Sequence, residues 1–114
     1  MDFVDRLKKF MKFIRDKYEA DDAFRAHGEY PWSLIEESGT DFGDGQARLA
    51  AMDILLRQGL IEVVNRESPK HIRLYHKIRP SLKALEATPG EQRRVWLDIV
   101  SAIAEGITRG IIKG

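Results

Sequence analysis

Residues 44–78, DGQARLAAMDILLRQGLIEVVNRESPKHIRLYHKI, change their apolar period in mid-course, and the architecture follows from that change. From Asp44 onward Leu49, Met52, Leu55 and Leu56 recur three and four residues apart, the spacing of an amphipathic helix. Asp44 is a capping residue for such a helix, and Gly59 stops it just past Gln58. Leu60 to Val64 is rich in β-branched residues and reads as a strand, and Asn65 to Lys70 holds the turn formers Asn, Ser and Pro. His71 to Ile78 then alternates. Ile72, Leu74, His76 and Ile78 fall on one side, and His71, Arg73, Tyr75 and Lys77 on the other. Pro80 ends that second strand. The expectation is a helix, a sharp stop and an antiparallel hairpin with a basic connection.

Upstream, Asp2 can cap a helix carrying Phe3, Leu7, Phe10 or Met11, Ile14 and Tyr18 on one stripe, with Lys8, Lys9, Lys12, Arg15 and Lys17 on its other faces. Residues 21–30 weaken the pattern and read as a loop or a short turn of helix. In Pro31 to Gly39, Ser33 and Glu36 have capping-box spacing and Gly39 suits a left-handed helix end, which predicts a helix of about two turns. Thr40 to Gly45 is a turn by composition.

Downstream, Ser81 to Ala87 predicts a short helical segment. Thr88-Pro89-Gly90-Glu91 is a second capping box with proline at the first helical position. It opens a final helix to about Ile112, lined by Val95, Trp96, Ile99, Val100, Ile103, Ile107 and Ile111 on one face. The fold class expected is α+β, mostly helical, with residues 1–88 as one unit and 89–114 as an added C-terminal amphipathic helix.

The 114 residues suffice for one domain with a modest core. Hydrophobic residues at 43% and charged residues at 32% are ordinary for a folded soluble chain and argue against disorder. There is no cysteine, which excludes disulfides and thiolate metal sites and fits a reducing compartment. With no signal-like N-terminus and no apolar run long enough to span a bilayer, the expected location is the cytoplasm. The net charge of +1 conceals two poles. Residues 20–45 carry seven acidic side chains against Arg25 alone, and residues 65–83 carry six basic ones against Glu67 alone.

The order helix, short helix, turn, helix, two-stranded hairpin and C-terminal helix resembles the winged helix-turn-helix superfamily of small prokaryotic transcription regulators. The residues carrying the resemblance are Ser33 to Ser38, Gln46 to Gln58, the junction Arg57-Gln58-Gly59-Leu60-Ile61 and the wing tip Asn65 to Lys70, within a span of roughly residues 3–87. It implies a helix entering the major groove of double-stranded DNA beside a wing that tracks phosphates. Groove-facing positions would be those opposite the leucine stripe, Gln46, Ala50, Asp53 and Arg57, with Arg48 able to swing outward near the helix start. The wing would offer Arg66, Lys70, His71, Arg73 and Lys77, with Tyr75 among them. Asp53 and the acids Glu36, Glu37, Asp41 and Asp44 oppose a polyanion, so a second expectation stays open. In it the same domain docks a basic protein through its acidic segment.

Ala102, Gly106, Gly110 and Gly114 recur every four residues. Interior glycines cost a helix about 1 kcal/mol each relative to alanine. Close approach of a second helix would explain them, so a homodimer contact is expected over Trp96, Ile99, Ala102, Ile103, Gly106 and Gly110. The alternative is that this helix folds back on its own domain. The charges Arg94, Asp98, Glu105 and Arg109 argue against a spanning helix, and their mixed signs against one lying on lipid. His71 and His76 fall on opposite strand sides, so no metal is expected, and His76 reads as a core histidine. Asp41-Phe42-Gly43 copies a kinase tripeptide without the accompanying motifs. No phosphate loop or activated nucleophile is present, so neither catalysis nor a cofactor is expected. Tyr30, Trp32 and Phe42 near one turn read as core more readily than as a ligand box.

Overall fold

Hydrophobic stripes three and four residues apart at both ends of the chain bring its first and last helices together over a shared core. The structure, a computed structural model, describes residues 2–65 and 69–104. The elements run α1 (Phe3–Ala20), α2 (Asp22–His27), α3 (Pro31–Ser38), α4 (Gly45–Arg57), β1 (Ile61–Val63), β2 (Ile78–Pro80), α5 (Leu82–Glu86) and α6 (Pro89–Ala104). The described part is a mostly helical α+β fold with one small antiparallel sheet.

The caps account for most of the boundaries. Asp2, Asp21, Asp44 and Ser81 each accept a backbone N–H in the first turn of α1, α2, α4 and α5. At α6 the capping box closes both ways: Thr88 Oγ1 accepts from Glu91 N at 3.2 Å, and Glu91 Oε1 accepts from Thr88 N at 3.3 Å. The expected Ser33–Glu36 box does not form. Helix α3 starts three residues earlier, with Tyr30 in the N-cap position and Pro31 first in the helix, where its fixed φ and missing N–H suit the place without a side-chain cap. Gly39 ends α3 in the left-handed conformation, as its sequence position predicts.

Strand pairing is short. Ile61 faces Pro80, Glu62 faces Arg79 and Val63 faces Ile78, and Glu62 forms a cross-strand ion pair with Arg79 at 3.3 Å. A third segment joins the sheet through a single bridge, where Glu29 and Ile78 exchange both backbone hydrogen bonds at 3.1 and 2.9 Å. Gly28 makes this possible. At φ +68° and ψ −170° it occupies a region that side chains strain to reach, and a Cβ there would lie 2.9 Å from the Ile78 carbonyl oxygen. Arg79 Nη1 donates to the carbonyls of Arg25 and Ala26, so one guanidinium ties the C-terminus of α2 to both strands.

Leu7, Phe10 and Ile14 of α1, Leu34 and Ile35 of α3, Met52 and Leu55 of α4, Ile78 of β2 and Ile99 of α6 are all buried in one core. Against the sequence expectation, residues 71–77 form no strand. His76 is buried, its Nδ1 accepts from Arg73 N at 2.9 Å, and His76 N donates to Arg73 O. Those two bonds close a turn with Leu74 and Tyr75 at its exposed tip. Burial still alternates at Ile72, His76 and Ile78. Leu74 is the exception, because the turn throws it outward.

Candidate nucleic-acid interface

The connection between β1 and β2 lies across α4. Ile72 is buried, and its amide donates to Asp53 Oδ1 at 2.7 Å, while His71 Nδ1 lies 3.3 Å from Asp53 Oδ2. Asp53, expected to face outward, is therefore only 8% exposed. Ala50, one turn earlier on the same expected face, is 3% exposed. The reason is that the connection supplies a backbone N–H that an exposed aspartate would otherwise leave to water. A short acidic side chain on α4 thus becomes the anchor of the segment above it. Of the expected groove-facing positions only Gln46 and Arg57, near the two ends of the helix, stay exposed.

Arg48 does not swing outward. It is half-buried, and its guanidinium carbon lies 5.8 Å from the ring centroid of Trp32 on α3, a cation–π contact between the two helices.

The cations expected from the hairpin are accessible. Lys70, His71, Arg73 and Lys77 are exposed, as is Arg57. Arg57, Lys70 and His71 line a groove of about 390 Å³ with Leu56 and Pro69, where the end of α4 meets the connection. Lys77 Nζ sits 5.3 Å from the Tyr30 ring centroid, and Tyr75 is exposed beside them in sequence. Among the described residues, Arg57, Lys70, Arg73 and Lys77 form no ion pair with a carboxylate. Arg66 lies outside the described residues.

The acidic pole is largely engaged within the chain. Asp44 caps α4, Asp41 Oδ1 accepts from Gly43 N at 2.9 Å, and Glu37 pairs with Lys17. Glu36 remains exposed on α3.

The residues expected at a dimer contact divide. Ile99 is fully buried in the core of its own chain, beside Val95, and Trp96 and Ile103 pack against that core. Ala102 is half-buried. Gly106 and Gly110 lie outside the described residues. What α6 leaves outward is Leu97 and Val100. The sequence stripe read as one continuous face is split: Val95 and Ile99 are buried in the core, and Val100 is exposed.

No group of three or more His, Asp or Glu side chains able to hold a metal ion occurs among the described residues, and no described helix is long and apolar enough to cross a membrane. No protein-family model, curated protein or solved structure matches the chain.

Proposed function

We propose that the chain is a winged-helix protein that binds double-stranded DNA, a small transcriptional regulator whose contacts are made by its wing. The observation that carries the reading is the group of exposed cations, Arg57, Lys70, Arg73 and Lys77, without carboxylate partners among the described residues. Support for the winged-helix assignment comes from the element order. A bridge residue precedes α3, α4 follows, and β1 and β2 close the sheet against that bridge. The burial of Ala50 and Asp53 keeps the middle of α4 out of a major groove, which leaves Gln46 and Arg57 as the helical contacts. Affinity then rests on phosphates, and discrimination between sequences is weak. The alternative, docking of a basic protein on the acidic segment, is less well supported because Glu37, Asp41 and Asp44 already have partners.

Titration of fluorescent duplex DNA at several salt concentrations tests the proposal. Binding should weaken steeply with salt, and Lys70→Ala and Arg73→Ala should each make the slope of log K against log salt shallower by about 0.9. Unrelated duplexes of equal length should bind within a few-fold of one another. Undetectable binding at low ionic strength, or slopes that neither substitution changes, refutes it.

A further inference from the structure

On another face of the molecule, α1 and α6 leave between them an open groove of about 520 Å³. Its apolar part is Trp96, Leu97 and Val100, with Leu97 60% and Val100 45% exposed. Lys8, Lys12, Arg15 and Arg93 line the same groove, and among the described residues no acidic one lines it. Lys12 pairs with Asp16 at 3.1 Å, but both side chains are well exposed, so that pair neutralises little. Lys8 Nζ lies 5.8 Å from the Trp96 ring centroid, which presents an ammonium above an apolar floor. At one end, sharing Arg15, Gln92 and Trp96, a smaller pocket of about 40 Å³ opens onto Met11, Leu60, Ala84 and Val95, with Lys83 and Glu91 also on its wall. It has room for about the tip of one aliphatic side chain.

We infer that this groove docks an acidic amphipathic helix of another protein, with one aliphatic side chain seated in the small pocket and acidic residues facing the rim of Lys8, Arg15 and Arg93. Charge complementarity selects this occupant. The chain's own residues 105–114, EGITRGIIKG, carry one acid against two bases and do not complement a basic groove. The acidic pole of a second copy offers little apolar surface, because on α3 Glu36 and Glu37 are exposed and the one large apolar side chain exposed nearby, Tyr30, already lies under Lys77. A two-fold pairing of groove on groove would set the four cations of each copy against one another. Anionic lipid would satisfy the charges as well, and the vesicle experiment below separates it from a helical partner. An apolar groove with charged rims is how proteins commonly receive an amphipathic helix, through anchors three and four residues apart.

The probe is a fluorescein-labelled peptide of about 15 residues, with leucines three and four apart and glutamates elsewhere. Its counterpart has every glutamate replaced by lysine. Anisotropy with the full chain should show binding of the acidic peptide and not of the basic one, weakening as salt screens the rim. Leu97→Glu should lower that affinity about tenfold or more by adding charge to the apolar floor, and Arg93→Glu several-fold. Leu82→Glu, at an exposed leucine outside the groove, should leave it unchanged. The two tryptophan indole N–H signals in a nitrogen–proton spectrum give a second readout on the unmodified chain: Trp96 shifts with added peptide and Trp32 does not. The proposal is overturned if the acidic peptide does not bind, if the basic peptide binds equally, or if Trp96 stays unmoved. Co-sedimentation with phosphatidylserine vesicles that Leu97→Glu abolishes would instead assign the groove to membranes. A solution mass that doubles, and is halved by Leu97→Glu, would assign it to a second copy.

Discussion

Replacing Asp53 by alanine strips the acceptor from the buried amide of Ile72 and detaches the β1–β2 connection from α4. The carboxylate is nearly buried and accepts that N–H at 2.7 Å. A hydrogen bond to a charged acceptor contributes about 1.5–3 kcal/mol, and a buried donor left unpaired costs about 1–3 kcal/mol; these describe the same loss from two sides and are not summed. We expect Asp53→Ala to destabilise the fold by about 2–3 kcal/mol, read as a lower urea midpoint. For a domain of this size that lowers Tm by about 8–12 °C. Asp53→Asn keeps an acceptor oxygen for Ile72 and should cost about 1 kcal/mol or less. His71→Ala should cost less than about 0.5 kcal/mol, because His71 is half-exposed and lies 3.3 Å away. Hydrogen exchange supplies the local check: the Ile72 amide should be protected in the parent and in Asp53→Asn, and lose protection in Asp53→Ala. An alanine variant as stable as the parent, or an Ile72 amide whose exchange is unchanged in it, would refute the reasoning. The connection would then not rest on α4, and the middle of that helix would be open to a DNA groove.

Gly28→Ala should destabilise by about 2 kcal/mol or more, since the new Cβ meets Val64 Cγ2 at 2.5 Å and the Ile78 carbonyl oxygen at 2.9 Å at a positive φ; a urea midpoint equal to the parent's refutes this. Ile99→Ala should cost about 2–5 kcal/mol, with a midpoint independent of protein concentration, because the side chain is buried within one chain. A midpoint that rises with concentration would return Ile99 to a subunit contact.

Much of the fold was legible in the chain. The stripe of Leu7, Phe10 or Met11 and Ile14, the caps at Asp2, Asp44 and Thr88, and the glycine stops at 39 and 59 are local signals, and the structure has them where they stand in the sequence. The misses came where tertiary contacts override local pattern. At 71–77 the alternation of burial is real but is produced by a turn that His76 closes from inside, which side-chain periodicity cannot distinguish from a strand. Ala50 and Asp53 looked outward because they stand opposite the Leu49, Met52 and Leu56 stripe, and only the position of Ile72, 19 residues further along, buries Asp53. The α3 start was misplaced because Pro31 competes with Ser33 as the opening signal. The cationic set was visible as a charge run. The α1–α6 groove was not, since Lys8, Arg15 and Arg93 converge only after the chain ends have packed.

The bridge between Glu29 and Ile78 has a consequence for how the chain is made. The residue leading into α3 finds its hydrogen-bonding mate only after 49 further residues have been added. On the ribosome, the first two helices therefore leave the exit tunnel well before the strand that steadies them, and Arg79, which holds the end of α2, arrives one position later still. Nascent chains halted short of residue 78 should remain sensitive to protease across 21–30, and become resistant there once that strand is free to pair.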